Sequence, residues 1–134
     1  MSKPSAFQPI REDITRRPRI LVVEDEYVLA TFLCDELVLF GYEPVGPVAT
    51  QRDAVRLAVE AHPDLVLMDI RLAEGNGIAA AIEIRERTGI RCVFATTHDD
   101  KSTRAKAKAA HPAGWVGKPY TGHDVAEALA AALP

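Results

Sequence analysis

Apolar residues in this chain follow two alternating rhythms. Ile20-Leu21-Val22-Val23, Leu65-Val66-Leu67-Met68 and Cys92-Val93-Phe94-Ala95 are short unbroken runs. Such runs predict strands buried on both faces of a parallel sheet. Between them, apolar positions recur every three or four residues. Val28, Leu29, Phe32, Leu33, Leu37 and Phe40 predict a first helix, which Gly41 stops. Glu43 to Val48 predicts a second strand, placed at an edge because Pro44 and Pro47 remove ladder donors. Thr50 caps a helix through about Ala61, with Ala54, Val55, Ala58 and Val59 facing inward. His62-Pro63-Asp64 is a turn. A loop with Gly75, Asn76 and Gly77 leads to a helix carrying Ile78, Ala81, Ile82 and Ile84, and Gly89 ends it. Asp99 or Ser102 caps a fourth helix to Ala110 whose only apolar residues are alanines. Trp115-Val116-Gly117 is a short fifth strand, and the last helix carries Val125, Ala128, Leu129, Ala132 and Leu133. Five βα repeats with short connections predict an α/β fold: a doubly wound, flavodoxin-like, five-stranded parallel sheet.

Residues 1–17 lack this periodicity and contain Pro4, Pro9 and mixed charge, so they are expected to form a flexible lead-in to a domain over 18–134. At 134 residues the chain has room for one domain. Its net charge of −3 gives no case for direct nucleic-acid binding. Arg104, Lys106 and Lys108 form a short polar helix face rather than a basic stripe. No run is long enough to span a membrane, and the amino terminus lacks a signal peptide's apolar core, so a cytoplasmic location is expected. Cys34 and Cys92 have no metal-ligand spacing around them and are expected to be free, buried thiols.

The candidate chemistry lies where the runs stop. The first run ends at Glu24-Asp25-Glu26, the third strand at Asp69, the fourth at Thr96 and the fifth at Lys118. Ligand sites in open α/β sheets form outside the carboxyl ends of the strands. One acidic cluster alone is a solvated turn; two at equivalent strand ends, joined by Thr96 and Lys118, make a site. Two carboxylates ~4 Å apart repel by about 4 kcal/mol at an effective dielectric near 20. Three together call for a cation, and oxygen ligands at a wet loop suit Mg²⁺. Lys118 and the Thr96 hydroxyl suit an incoming phosphoryl group, whose transfer depends on positioning and charge neutralisation. The plainer role for Lys118 is a resting salt bridge to Asp69, which is compatible with function.

From about Arg19 to Leu133 the chain resembles the response-regulator receiver domain, the phospho-acceptor module of two-component signalling. The resemblance rests on the acidic pair after the first strand, on Met68-Asp69-Ile70, on Thr96, and on Lys118-Pro119-Tyr120. It implies that Asp69 is phosphorylated by a histidine kinase or a histidine phosphotransfer protein. It further implies that Asp25, Asp69 and the backbone carbonyl of Arg71 bind Mg²⁺ directly, with Glu24 acting through water. Thr96 and Trp115 resemble the switch pair that links phosphorylation to a protein-binding face made by the fourth helix, fifth strand and last helix.

Some positions depart from the family pattern. Glu24 replaces the commoner aspartate, Thr97 stands where a small residue usually follows the switch threonine, Ala73 replaces a frequent proline, and Trp115 replaces tyrosine or phenylalanine. None removes a group that phosphorylation needs. The expected activity is that of a switch rather than an enzyme with turnover. A Mg²⁺-dependent aspartyl-phosphate phosphatase needs a general acid two residues beyond its nucleophile, where this chain has Arg71. A degenerate receiver that works without phosphate is at odds with Asp25, Asp69, Thr96 and Lys118 all being present. The chain is expected to be a stand-alone receiver acting through protein contacts, or else one cut from a longer regulator.

Overall fold

The computed structural model describes residues 16–97 and 100–134. Most of the expected lead-in, residues 1–15, and the candidate cap Asp99 lie outside the described residues. Five strands, β1 (Arg19–Val23), β2 (Glu43–Val48), β3 (Leu65–Met68), β4 (Cys92–Thr96) and β5 (Gly114–Gly117), form one parallel sheet in the order β2-β1-β3-β4-β5. The helices are α1 (Tyr27–Leu39), α2 (Gln51–Ala61), α3 (Gly77–Thr88), α4 (Lys101–Ala107) and α5 (Gly122–Ala132), with a 3₁₀ turn over Lys108–Ala110.

Alternation along each strand divides the core into two layers. Ile20, Val22, Leu65, Leu67, Val93 and Ala95 pack with Leu33 and Leu37 of α1 and Val125 and Leu129 of α5. Leu21, Val23, Val66, Met68, Cys92 and Phe94 pack on the other face with Ala54 and Ala58 of α2 and Ile78 and Ile84 of α3. Strands buried on both faces explain why three of them read as unbroken apolar runs. β2 lies at the edge, as its two prolines require. Gly46, at φ +94°, sits where its register to β1 shifts.

Local details correct or refine these expectations. The buried stripe of α1 is Ala30, Leu33 and Leu37, whereas Val28, Phe32 and Phe40 are exposed. Tyr27, Val38 and Leu39 are exposed as well, so the helix is apolar on nearly every side and spacing alone could not select its inner face. The cap of α4 is Asp100, whose Oδ1 accepts from Thr103 N at 2.7 Å. Ser102 lies inside the helix, and α4 ends at Ala107 before the 3₁₀ turn. Thr50 caps α2 as read, accepting from Asp53 N at 3.1 Å, and Thr121 with Asp124 forms a capping box at α5. Cys34 and Cys92 are free, but only Cys92 is fully buried.

Candidate functional site

Adjacent parallel strands bring the polar residues after them to one rim. Asp69 N donates to Val23 O at 3.0 Å, so the chain leaving β3 stays paired with the end of β1 and sets Asp69 beside Glu24. On the other side, Lys118 N donates to Thr96 O at 3.0 Å, extending the β4–β5 pairing past Gly117. The Lys118 side chain crosses the rim. Its Nζ donates to Asp69 Oδ2 and to Glu24 Oε1, each at 2.8 Å. The remaining oxygens accept from the backbone: Asp69 Oδ1 from Ile70 N at 2.7 Å and Glu24 Oε2 from Glu26 N at 3.0 Å.

Glu24 and Asp69 are buried and Asp25 is exposed, yet one carboxylate oxygen from each lies within 4.8 Å of the others. With Lys118 the cluster keeps a formal charge of −2. All-oxygen donors, a −2 charge and one solvent-facing side fit a hard divalent cation that retains waters, so these residues suit Mg²⁺. The cleft is lined by Glu24, Asp25, Glu26, Asp69, Arg71, Thr97 and Lys118 and holds about 460 Å³. A larger groove between α2 and α3 has mixed charges and no such cluster.

Burial pushes the Glu24 carboxyl above its ordinary value, opposed by bonds from Lys118 and the Glu26 amide. Burial pulls Lys118 down, but its two carboxylate partners outweigh this and leave the ammonium held above its ordinary value. Burial also raises the Tyr120 phenol, with Glu24, Asp69 and Glu26 adding to the effect, so it stays protonated at neutral pH. Its hydroxyl has no hydrogen-bond partner among the described residues.

Thr96 is fully buried at the end of β4. It shares a sheet face with Phe94, two residues earlier, and Phe94 stands opposite Trp115 in register. The Phe94 and Trp115 rings are 5.2 Å apart at 55°, and the Arg104 guanidinium lies 4.3 Å from the centre of the indole ring. Trp115 is thus held between β4 and α4.

Every site residue expected from sequence is therefore described: Glu24, Asp25, Asp69, Lys118 and Arg71 line one cleft, while Thr96 and Trp115 form a layer beside it. The sharing of Lys118 between two carboxylates was not legible, because a sequence does not report that Glu24 is buried. Thr97, singled out in the sequence as the residue after the switch threonine, lines the cleft wall.

The response regulator receiver domain family matches residues 20–130. The chain belongs to this family. It is 31% identical over 112 residues to the chemotaxis protein CheY of Thermotoga maritima, covering 83% of this chain and 93% of CheY. It is also 32% identical over 115 residues to the transcriptional regulatory protein PdtaR of Mycobacterium tuberculosis, covering 86% of this chain. This receiver spans 56% of the length of PdtaR. A receiver domain of a modulated diguanylate cyclase from Desulfovibrio desulfuricans has the same fold, with a TM-score of 0.81 and 29% identity over 87% of this chain and 94% of that one. The receiver has no helix among its described residues that is long and apolar enough to cross a membrane.

Proposed function

We propose that Asp69 accepts a phosphoryl group from a histidine kinase or a histidine phosphotransfer protein in a Mg²⁺-dependent step. The observation that carries this reading is Lys118 bridging Asp69 and Glu24 at 2.8 Å, with Asp25 closing a three-carboxylate cluster. A carboxylate oxygen of Asp69 attacks phosphorus, the O–P bond forms, and the N–P bond to the donor imidazole breaks. Lys118, already at Asp69, moves its charge onto a phosphoryl oxygen as the carboxylate becomes an acyl phosphate. Asp25, Asp69 and the Arg71 carbonyl would hold Mg²⁺, with Glu24 acting through water, and the bound ion would supply charge neutralisation at the transferring group. The Thr96 hydroxyl donates to the phosphoryl group.

The output is a changed protein-binding face on α4, β5 and α5, not turnover. Arg71, two residues beyond Asp69, has no acid to offer and supports a switch over a phosphatase. Direct contacts are with proteins in the cytoplasm: exposed Tyr27 and Val28 beside Asp25 form an apolar approach for a donor protein, and the net charge of −3 does not favour nucleic acid.

Acetyl phosphate with Mg²⁺ should add one phosphate to the wild-type chain and none to Asp69→Asn. Asp25→Ala should lose metal-dependent labelling more completely than Glu24→Ala. Equal labelling of Asp69→Asn, or equal labelling in EDTA, would overturn the reading.

A further inference from the structure

The loop after Asp69 is braced from outside the acid cluster. Beyond Ile70 it runs past the start of α2, where Ala73 N donates to Ala49 O at 3.1 Å and Gln51 N donates to Glu74 O at 2.9 Å. The Gln51 side chain then reaches the end of the loop, its Oε1 accepting from Asn76 N at 3.0 Å. Asn76 in turn makes an antiparallel bridge with Arg71 and caps α3, its Oδ1 accepting from Ile78 N and Ala79 N. Gly75 adopts φ +84°, and a Cβ there would lie 2.4 Å from Gln51 Cβ and 2.5 Å from Gln51 Oε1. Only glycine permits both that backbone and that approach.

Gln51 touches neither the carboxylates nor Lys118. Its bond ends on the residue paired with Arg71, a pair closed from the flanking positions by Gly77 N donating to Ile70 O at 2.7 Å, and the proposed cation uses the Arg71 carbonyl. We propose that Gln51 is a positioning residue for the cation: by holding Asn76 it fixes the Ile70–Arg71 segment paired with Asn76–Gly77, and with it the Arg71 carbonyl. This rests on reading the acid cluster as a Mg²⁺ site. Mg²⁺ demands near-ideal octahedral geometry, so a backbone ligand on an unbraced loop binds it poorly. Groups that orient metal ligands are worth about tenfold or more in affinity.

The test is Mg²⁺ binding to the unphosphorylated chain by calorimetry, alongside amide exchange at Asn76 without metal. Gln51→Ala should weaken Mg²⁺ binding about tenfold and speed Asn76 exchange. Gln51→Glu keeps an acceptor for Asn76 N and should retain both properties. Gly75→Ala, which forces the loop away from Gln51, should weaken binding as Gln51→Ala does. Wild-type affinity in Gln51→Ala overturns the proposal, and so does equal loss in Gln51→Ala and Gln51→Glu. If the wild-type chain takes up no Mg²⁺ while Asn76 exchange still responds to Gln51→Ala, it is the cation reading that fails, and the role of Gln51 at the cation falls with it.

Discussion

The Lys118 ammonium sits 2.8 Å from Asp69 Oδ2 and is mostly shielded from solvent. Under the proposed transfer, the charge that neutralises Asp69 at rest would be the one available to a phosphoryl oxygen afterwards. At rest, Lys118 would compete with the proposed cation for the same carboxylates.

That competition has a measurable consequence. Lys118→Met leaves Glu24 and Asp69 side by side without a cation, and breaking a buried pair costs about 3 kcal/mol. In metal-free urea denaturation the variant should be less stable than wild type by about that amount. Mg²⁺ should bind it more tightly and restore more stability than it gives wild type. Weaker Mg²⁺ binding in Lys118→Met would show that the ammonium assists the cation rather than competing with it.

Stability should also respond to pH through Glu24. Burial raises its pKa above 4.5 in the folded chain, so the folded state takes up this proton more readily than the unfolded one. The contribution is fully present below the unfolded value and is lost as pH rises through the folded value. Glu24→Gln removes this loss. In metal-free buffer, the stability of Glu24→Gln relative to wild type should grow from about pH 4.5 toward neutrality. A difference that stays constant with pH would refute the assignment.

Thr97 is exposed on the cleft wall, beside the place an acyl phosphate would occupy. Its β-branched side chain holds few rotamers and takes space an attacking water needs. Spontaneous loss of phosphate from labelled Thr97→Ala should run severalfold faster than from wild type. An equal or slower rate measured by phosphate release would remove Thr97 from this role.

Trp115 is the only tryptophan in the chain and packs between Phe94 and Arg104. The α4 segment it faces buries only Ala107, with Ala110 following in the 3₁₀ turn, and elements with so little buried area move at low cost. Beryllofluoride, standing in for the phosphoryl group on Asp69, should change Trp115 emission in wild type and leave Thr96→Ala unchanged. The same response in both would mean the coupling does not run through Thr96.

The sequence by itself determined the architecture. Strands buried on both faces must be continuously apolar, and Leu65-Val66-Leu67-Met68 states that in four letters. The same physics placed Glu24, Asp25, Asp69, Thr96 and Lys118 at strand ends, because parallel strands all finish at one rim. Tertiary structure decided what depends on packing partners. α1 carries apolar residues on nearly every side, so only its docking against β1, β2 and α5 selects Ala30, Leu33 and Leu37 as the inner face. Asp100 caps α4 in place of its neighbours because a cap is defined by backbone φ and ψ, which three nearby polar residues cannot specify. Lys118 joins Glu24 as well as Asp69, and Gln51 meets Asn76, across gaps of 94 and 25 residues. Such bonds form only once the sheet and the helices beside it have set the distances.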